Sequence, residues 1–162
     1  MSELNVRPFE QEDLSRVIEI ALAAWEPIFA FYRHTMGEEL FMAAHPDWRA
    51  DKAGQVRRGC INSEAATALV AEWEGQVVGF ITFYKRSEGI GEIGNNAVHP
   101  DFQGRGIGPH MYQAAFDQLK AEGMRFVRVT TGGDASHAPA RRAYQKAGFT
   151  IQLPMVEYFH EL

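Results

Sequence analysis

Six residues constrain this chain more than any others: Gln103-Gly104-Arg105-Gly106-Ile107-Gly108. They follow an extended-type run from Ile90 to Val98 that stops at His99-Pro100, and a residue before proline prefers extended geometry. From residue 107 the spacing changes: Met111, Ala115 and Leu119 form one row with Tyr112 and Phe116 beside it, which is one face of a helix. The glycine segment is therefore a strand-to-helix turn. Glycines at alternate positions leave successive N–H groups unshielded, and with the positive end of a helix they make an anion site suited to a pyrophosphate. Two familiar glycine loops do not fit. A dinucleotide fingerprint needs G-x-G-x-x-G, where this segment has G-x-G-x-G, and a P-loop needs Gly-Lys, a pair that occurs nowhere in the chain. The plain reading that remains is a glycine-rich turn capping a helix.

The rest of the chain supplies elements on both sides of this turn. Leu4 to Pro8 alternates as a short strand. Leu14, Val17, Ile18, Ala21, Leu22 and Trp25 fall on one helical face, which Pro27 is expected to end or kink. Residues 28–62 read as helix broken at Gly37, Pro46 and Gly54, and they are rich in aromatic side chains. A hairpin is predicted over 66–85, turning at Glu74-Gly75, and a strand over 126–130. A helix follows with Ser136 as N-cap, Pro139 in its first turn and Gly148 as its stop, then two strands over 149–153 and 155–160. No repeat and no linker-like tract divides the chain. The expectation is one α/β domain over 1–162, a mixed, mostly antiparallel central sheet flanked by helices.

Composition narrows the class of function. Sixteen basic and twenty-one acidic residues give a net charge of −5, which argues against a nucleic-acid partner. No apolar run is long enough to span a membrane, and the N-terminal residues have neither the basic head nor the apolar core of a secretory signal. One cysteine, Cys60, cannot close an intramolecular disulfide and suits a reducing cytosol. The six histidines lack metal-binding spacing, so no metal is expected. Cys60 itself reads as packing rather than as a nucleophile, since no base signature surrounds it.

Two blocks carry a family resemblance. Residues 103–108 match the R/Q-x-x-G-x-G/A signature of the GNAT superfamily of N-acetyltransferases, with Ala97-Val98-His99-Pro100-Asp101-Phe102 resembling the lead-in strand and loop. Downstream, Ala140 to Phe149 resembles that family's A-x-x-x-Y-x-x-x-G-F segment. The specific motifs cover roughly 92–149, and 26–65 carry none. The resemblance implies an acetyl-CoA-dependent N-acetyltransferase that moves the acetyl group directly to a primary amine through a ternary complex, and it allows a homodimer; the composition above makes the cytoplasm the expected location. Acidic composition and a short chain point to a small-molecule amine. The competing class is a CoA-binding regulatory or interaction domain without turnover.

The resemblance also implies roles. The amides of Gln103, Gly104, Arg105, Gly106, Ile107 and Gly108 would hold the pyrophosphate, Ala97 and Val98 the pantetheine arm, and the Val98 N–H the thioester carbonyl. Tyr144 stands where the family tyrosine protonates the leaving sulfur; the plain alternative is a helix residue packed on the sheet. Glu92, six residues before Val98 and so on the same face of a regular strand, is the candidate base; its plain alternative is a solvated charge at a strand entrance. His137 replaces an asparagine frequent seven positions before the tyrosine and is expected to contact the cofactor. Phe29 and Tyr32 are candidate acceptor contacts.

Overall fold

The computed structural model describes residues 4–62 and 64–162. Five strands form one sheet in the order β1 (Leu4–Pro8), β2 (Thr67–Trp73), β3 (Gln76–Ser87), β4 (Ile90–Val98) and β5 (Phe126–Val129). The first four pair antiparallel and β5 joins β4 in parallel. The sheet is mixed and mostly antiparallel, as expected. The β2–β3 turn forms at Glu74 and Gly75, with φ of 51° and 80°. Left-handed backbone at both turn positions matches the twist of the strands it joins.

Both faces of the sheet are covered because the apolar runs of β2 and β3 split by alternation. Leu69, Ala71, Val78, Ile81, Phe83 and Ile93 pack against Ile107, Met111, Ala115 and Leu119 of α4 (Ile107–Ala121). Val70, Phe80 and Ala97 pack the other way, against Val17, Ile20 and Ala21 of α1 (Leu14–Met36) and Val56 and Cys60 of α3 (Trp48–Ile61). Phe80, Ile81 and Phe83 are almost wholly removed from solvent, and each such side chain stabilises the fold by about 1.5–3 kcal/mol. Two shorter helices complete the set, α2 (Glu38–Ala44) and α5 (Ala138–Lys146).

Four expectations are corrected. α1 runs through Pro27 and ends only at Gly37; packing beyond the proline, including Phe29 stacked on Trp48 at 4.3 Å, outweighs one missing helical hydrogen bond. Gly54 lies inside α3 rather than breaking it. The cost of a helical glycine, about 1 kcal/mol, is offset by buried Trp48, Val56 and Cys60 and by Asp47, whose side chain caps the helix by accepting from the Ala50 N–H. The residue capping α5 is His137, not Ser136; Ser136 lies in a preceding 3₁₀ turn whose own cap is Asp134. After α5 there is no strand. Phe149 packs against Phe116 and Tyr144, and beyond it Ile151, Leu153 and Met155 are exposed. Apolar alternation proposes a strand, but a strand also needs a partner edge, and the path of the tail supplies none.

Candidate active site

β4 and β5 pair only from Ile90↔Phe126 to Ile93↔Val129. Beyond that point β5 ends, and residues 94–98 of β4 have a neighbouring strand on the β3 side alone. The His99 N–H donates to the Val78 carbonyl at 2.8 Å on the β3 side. Successive N–H groups of a strand point to opposite edges, so the Val98 N–H points into the gap left by β5. The gap widens into a cavity of about 1090 Å³. Of the residues expected to hold a cofactor, Ala97, Val98, Gln103, Gly104, Gly106, Ile107, Gly108, His137 and Tyr144 line it. Arg105 does not; its guanidinium lies 5.1 Å from the Phe102 ring centroid and donates to the Asp101 carbonyl.

The loop is built as its glycines require. Gly104 and Gly106 have φ of +77° and +79°, and a Cβ on either would meet no protein atom within 4 Å. That space and those left-handed conformations favour glycine and leave room for a ligand against the backbone. Gly106 caps α4 without any side-chain hydrogen bond, so the first-turn N–H groups of α4 are left for an anion. His99, by contrast, is structural: its Nδ1 accepts from the Asp101 N–H. Arg142 and Lys146 of α5 bring positive charge to the same cavity.

Tyr144 belongs to a small hydrogen-bond chain. Tyr112 donates to Asn96 Oδ1 at 2.8 Å, and Asn96 Nδ2 donates to the Tyr144 oxygen at 3.2 Å. The Tyr144 O–H is thereby left to donate elsewhere, and the residue lines the cavity. Burial pushes its phenol above the ordinary value, with the hydrogen bond from Asn96 opposing part of the shift, so the hydroxyl keeps its proton at neutral pH. No motif marks Asn96 in the sequence. The available signal was Asn95-Asn96, a polar pair interrupting a buried strand, since buried amides require partners.

Glu92 is buried and lines the cavity, the one carboxylate to do so among the described residues. Its Oε2 accepts from Arg86 at 2.7 Å and lies 3.5 Å from Arg128. The same-face relation to Val98 does not hold. Ile81 pairs with Asn96 but Phe83 with Ile93, so one residue of β3 faces two of β4. This bulge shifts the alternation by one. Ile93 and Val98, an odd number of residues apart, accordingly pack in the same α4-side cluster. Glu92 neighbours Ile93 and projects from the opposite face.

The remaining candidates separate. His137 lines the cavity with Nδ1 held 2.8 Å from Asp134 Oδ2, and Arg141 fixes the loop by donating to the carbonyls of Gly132 and Asp134. Tyr32 reaches the His137 ring at 6.0 Å but, like Phe29, is not part of the cavity wall; Trp25, Pro27 and Ile28 take that position on α1. Cys60 lies in the α1–α3 core, and burial pushes its thiol up to about 12. It offers no nucleophile to the cavity. Lys52 of α3 also lines the cavity, and no sequence signal marked it.

Comparison with known proteins agrees with this geometry. The Acetyltransferase (GNAT) family model matches residues 22–149. Mycothiol acetyltransferase of Corynebacterium glutamicum (strain R) is 26% identical over 118 residues, covering 69% of this chain and 40% of that protein. The chain therefore spans well under half the length of these relatives. The PaiA N-acetyltransferase of Thermoplasma acidophilum, solved in complex with coenzyme A, superposes with a TM-score of 0.69 at 19% identity, covering 93% of this chain and 91% of that one. Aminoglycoside N-acetyltransferase AAC(6')-Iy, solved with the bisubstrate analogue CoA-S-monomethyl-acetylneamine, gives 0.65 at 14% identity over 99% and 100% of the two chains. These two likenesses show a shared fold. The family match takes in the hairpin, the parted strands, the glycine loop and Tyr144, and the chain belongs to the Acetyltransferase (GNAT) family.

Proposed function

We propose that this chain transfers an acetyl group from acetyl-coenzyme A directly to a primary amine of a small molecule, with both substrates bound together. One observation carries the reading: the unpaired edge of β4 at 94–98 runs straight into the glycine loop, and Tyr144 forms the wall beside it. An extended arm fits such an edge as an added strand would, with peptide N–H and C=O groups as partners. A diphosphate fits the loop, through the open space over Gly104 and Gly106, the uncapped start of α4 and the charges of Arg142 and Lys146. The complexes of PaiA and of AAC(6')-Iy with coenzyme A or its analogue support the same assignment.

Acetyl-coenzyme A brings an acyl group on a thiolate leaving group. The protein's part is to position and to move protons. The Val98 N–H, aimed into the gap, polarises the acyl carbonyl. Tyr144, its oxygen already accepting from Asn96, donates its proton to the departing sulfur. Glu92 takes the proton that the acceptor ammonium must lose before it attacks, and His137 contacts the coenzyme arm. Cys60, the chain's single thiol, is buried away from the cavity, which favours direct transfer over a cysteine-bound acyl intermediate.

The test is release of free coenzyme A from acetyl-coenzyme A across a panel of amines, beside melting temperatures with each nucleotide. Acetyl-coenzyme A should raise the melting temperature, because a ligand that binds only the native state stabilises it by mass action, and NAD should not. A larger shift with NAD overturns the loop assignment. Binding without release on any amine replaces the enzyme with a coenzyme-binding domain.

A further inference from the structure

The cavity has a charged wall that acetyl transfer does not use. Lys52, on α3, is 9% exposed and lines the cavity with Glu92 and Val98. Its Nζ donates to Gln55 Oε1 at 3.0 Å and to Asn95 Oδ1 at 3.2 Å, and sits 4.2 Å from the centroid of the Trp25 ring. Among the described residues no carboxylate oxygen lies within 4.0 Å of it. Two amide oxygens and a ring face orient the ammonium without neutralising it. Burial pushes it down to about 8, so it remains mostly charged at neutral pH.

An unneutralised buried charge destabilises a fold. Retained in the wall of a cavity, it suits a negative charge that arrives with a ligand. Position limits which ligand. The amide that Lys52 grips belongs to Asn95, three residues before Val98 on β4, roughly 10 Å by strand rise. The glycine loop follows Val98 at the other end, so the coenzyme phosphates lie away from Lys52.

We infer that Lys52 binds a carboxylate of the acceptor, which makes the acceptor an amino acid or another amine that carries a carboxylate. The inference rests on the amine-transfer reading above. Glu92, on the same cavity, meets the ammonium of such a zwitterion, so the two ends of the acceptor face side chains of opposite charge.

Matched pairs test this: each common amino acid, β-alanine and γ-aminobutyrate against the amine left by its decarboxylation. Binding to the coenzyme A-saturated protein is read by calorimetry, and kcat/KM by coenzyme A release. For at least one pair the carboxylated member should be preferred roughly a hundredfold, as buried polar groups left unmatched penalise the analogue. Lys52→Met should erase that preference and leave coenzyme A affinity unchanged; Lys52→Arg should keep part of it. Lys52→Met should also raise the melting temperature, because an unpaired buried charge becomes an apolar side chain of similar length. Absence of any preference in the wild type, or a preference that survives Lys52→Met, overturns the proposal. A lower melting temperature with the preference intact makes Lys52 a strut between α3 and β4. Lys52-dependent binding of a carboxylated amine with no acetyl transfer to any amine leaves the carboxylate site standing and removes the amine-transfer reading.

Discussion

β1, β2 and β3 are hydrogen-bonded along nearly their full lengths, whereas β4 and β5 share four register pairs and then part. The closed side is also locked from outside: Arg7 donates to both Asp13 oxygens, at 2.7 and 2.9 Å, and to Glu72 at 2.9 Å. On the open side, peptide groups of β4 have no strand partner, and nearly every candidate site residue gathers around them. Unpaired strand edges are a liability unless something covers them. In this protein the liability lies at the ligand cavity, and the closed half of the sheet holds it in place. The division predicts that substitutions on the open side change binding or turnover, while those on the closed side change stability.

The largest expected effect is at Tyr144. Tyr144→Phe keeps the ring contacts to Tyr112 and Phe149 and removes only the proton donor. Turnover should fall roughly ten- to a thousandfold with little change in coenzyme affinity. Near-normal turnover with a small drop in melting temperature would make Tyr144 a packing residue and break the contrast at its centre. Gly106→Val comes next. Its left-handed backbone and the space above it are both spoiled by a branched side chain, so calorimetry should show coenzyme affinity lower by about tenfold or more; unchanged affinity places the phosphates elsewhere.

Glu92→Gln sharpens the boundary, because Glu92 sits on the paired part of β4 yet faces the cavity. As the base it should cost about tenfold or more in turnover, most at low pH, where the amine most needs help losing its proton. Equal turnover across pH, with reduced stability, would assign it to the ion pairs with Arg86 and Arg128. The smallest effect on activity is expected at Asp13. The Arg7 guanidinium beside it holds its carboxyl below the ordinary carboxylate range. The folded state therefore favours the ionised form, and the contribution is complete above the unfolded value of about 3.9 and is lost as pH falls below it. Asp13→Asn should lower stability by about 2 kcal/mol near neutral pH, less at strongly acid pH, with turnover per folded molecule unchanged. Denaturant melts across pH measure it.

The parts of the site legible in the sequence are those whose geometry is local. The glycine loop needs only a strand before it, a helix after it and glycines between, and all three leave patterns within twenty residues. Tyr144 is legible through its register against Gly148 and Phe149, since one helix turn and its stop fix that spacing. Asn96 and Lys52 are not legible in this way. Asn96 acts through residues of α4 and α5 far along the chain, and Lys52 reaches the cavity only because α3 packs behind β4.

Element types up to α5 and the strand-turn-helix around the glycine loop are written in local residues, because hydrophobic period, glycine position and capping act over a few residues. Tertiary structure decided the rest. It carried α1 through Pro27 by packing the far side, left the 149–162 tail without a partner edge, and placed a bulge opposite Thr82 that turned Glu92 away from the face of Val98. A strand's alternation is written in its own residues, but its phase relative to a neighbour depends on how two strands register, and that is settled only when both are in the sheet.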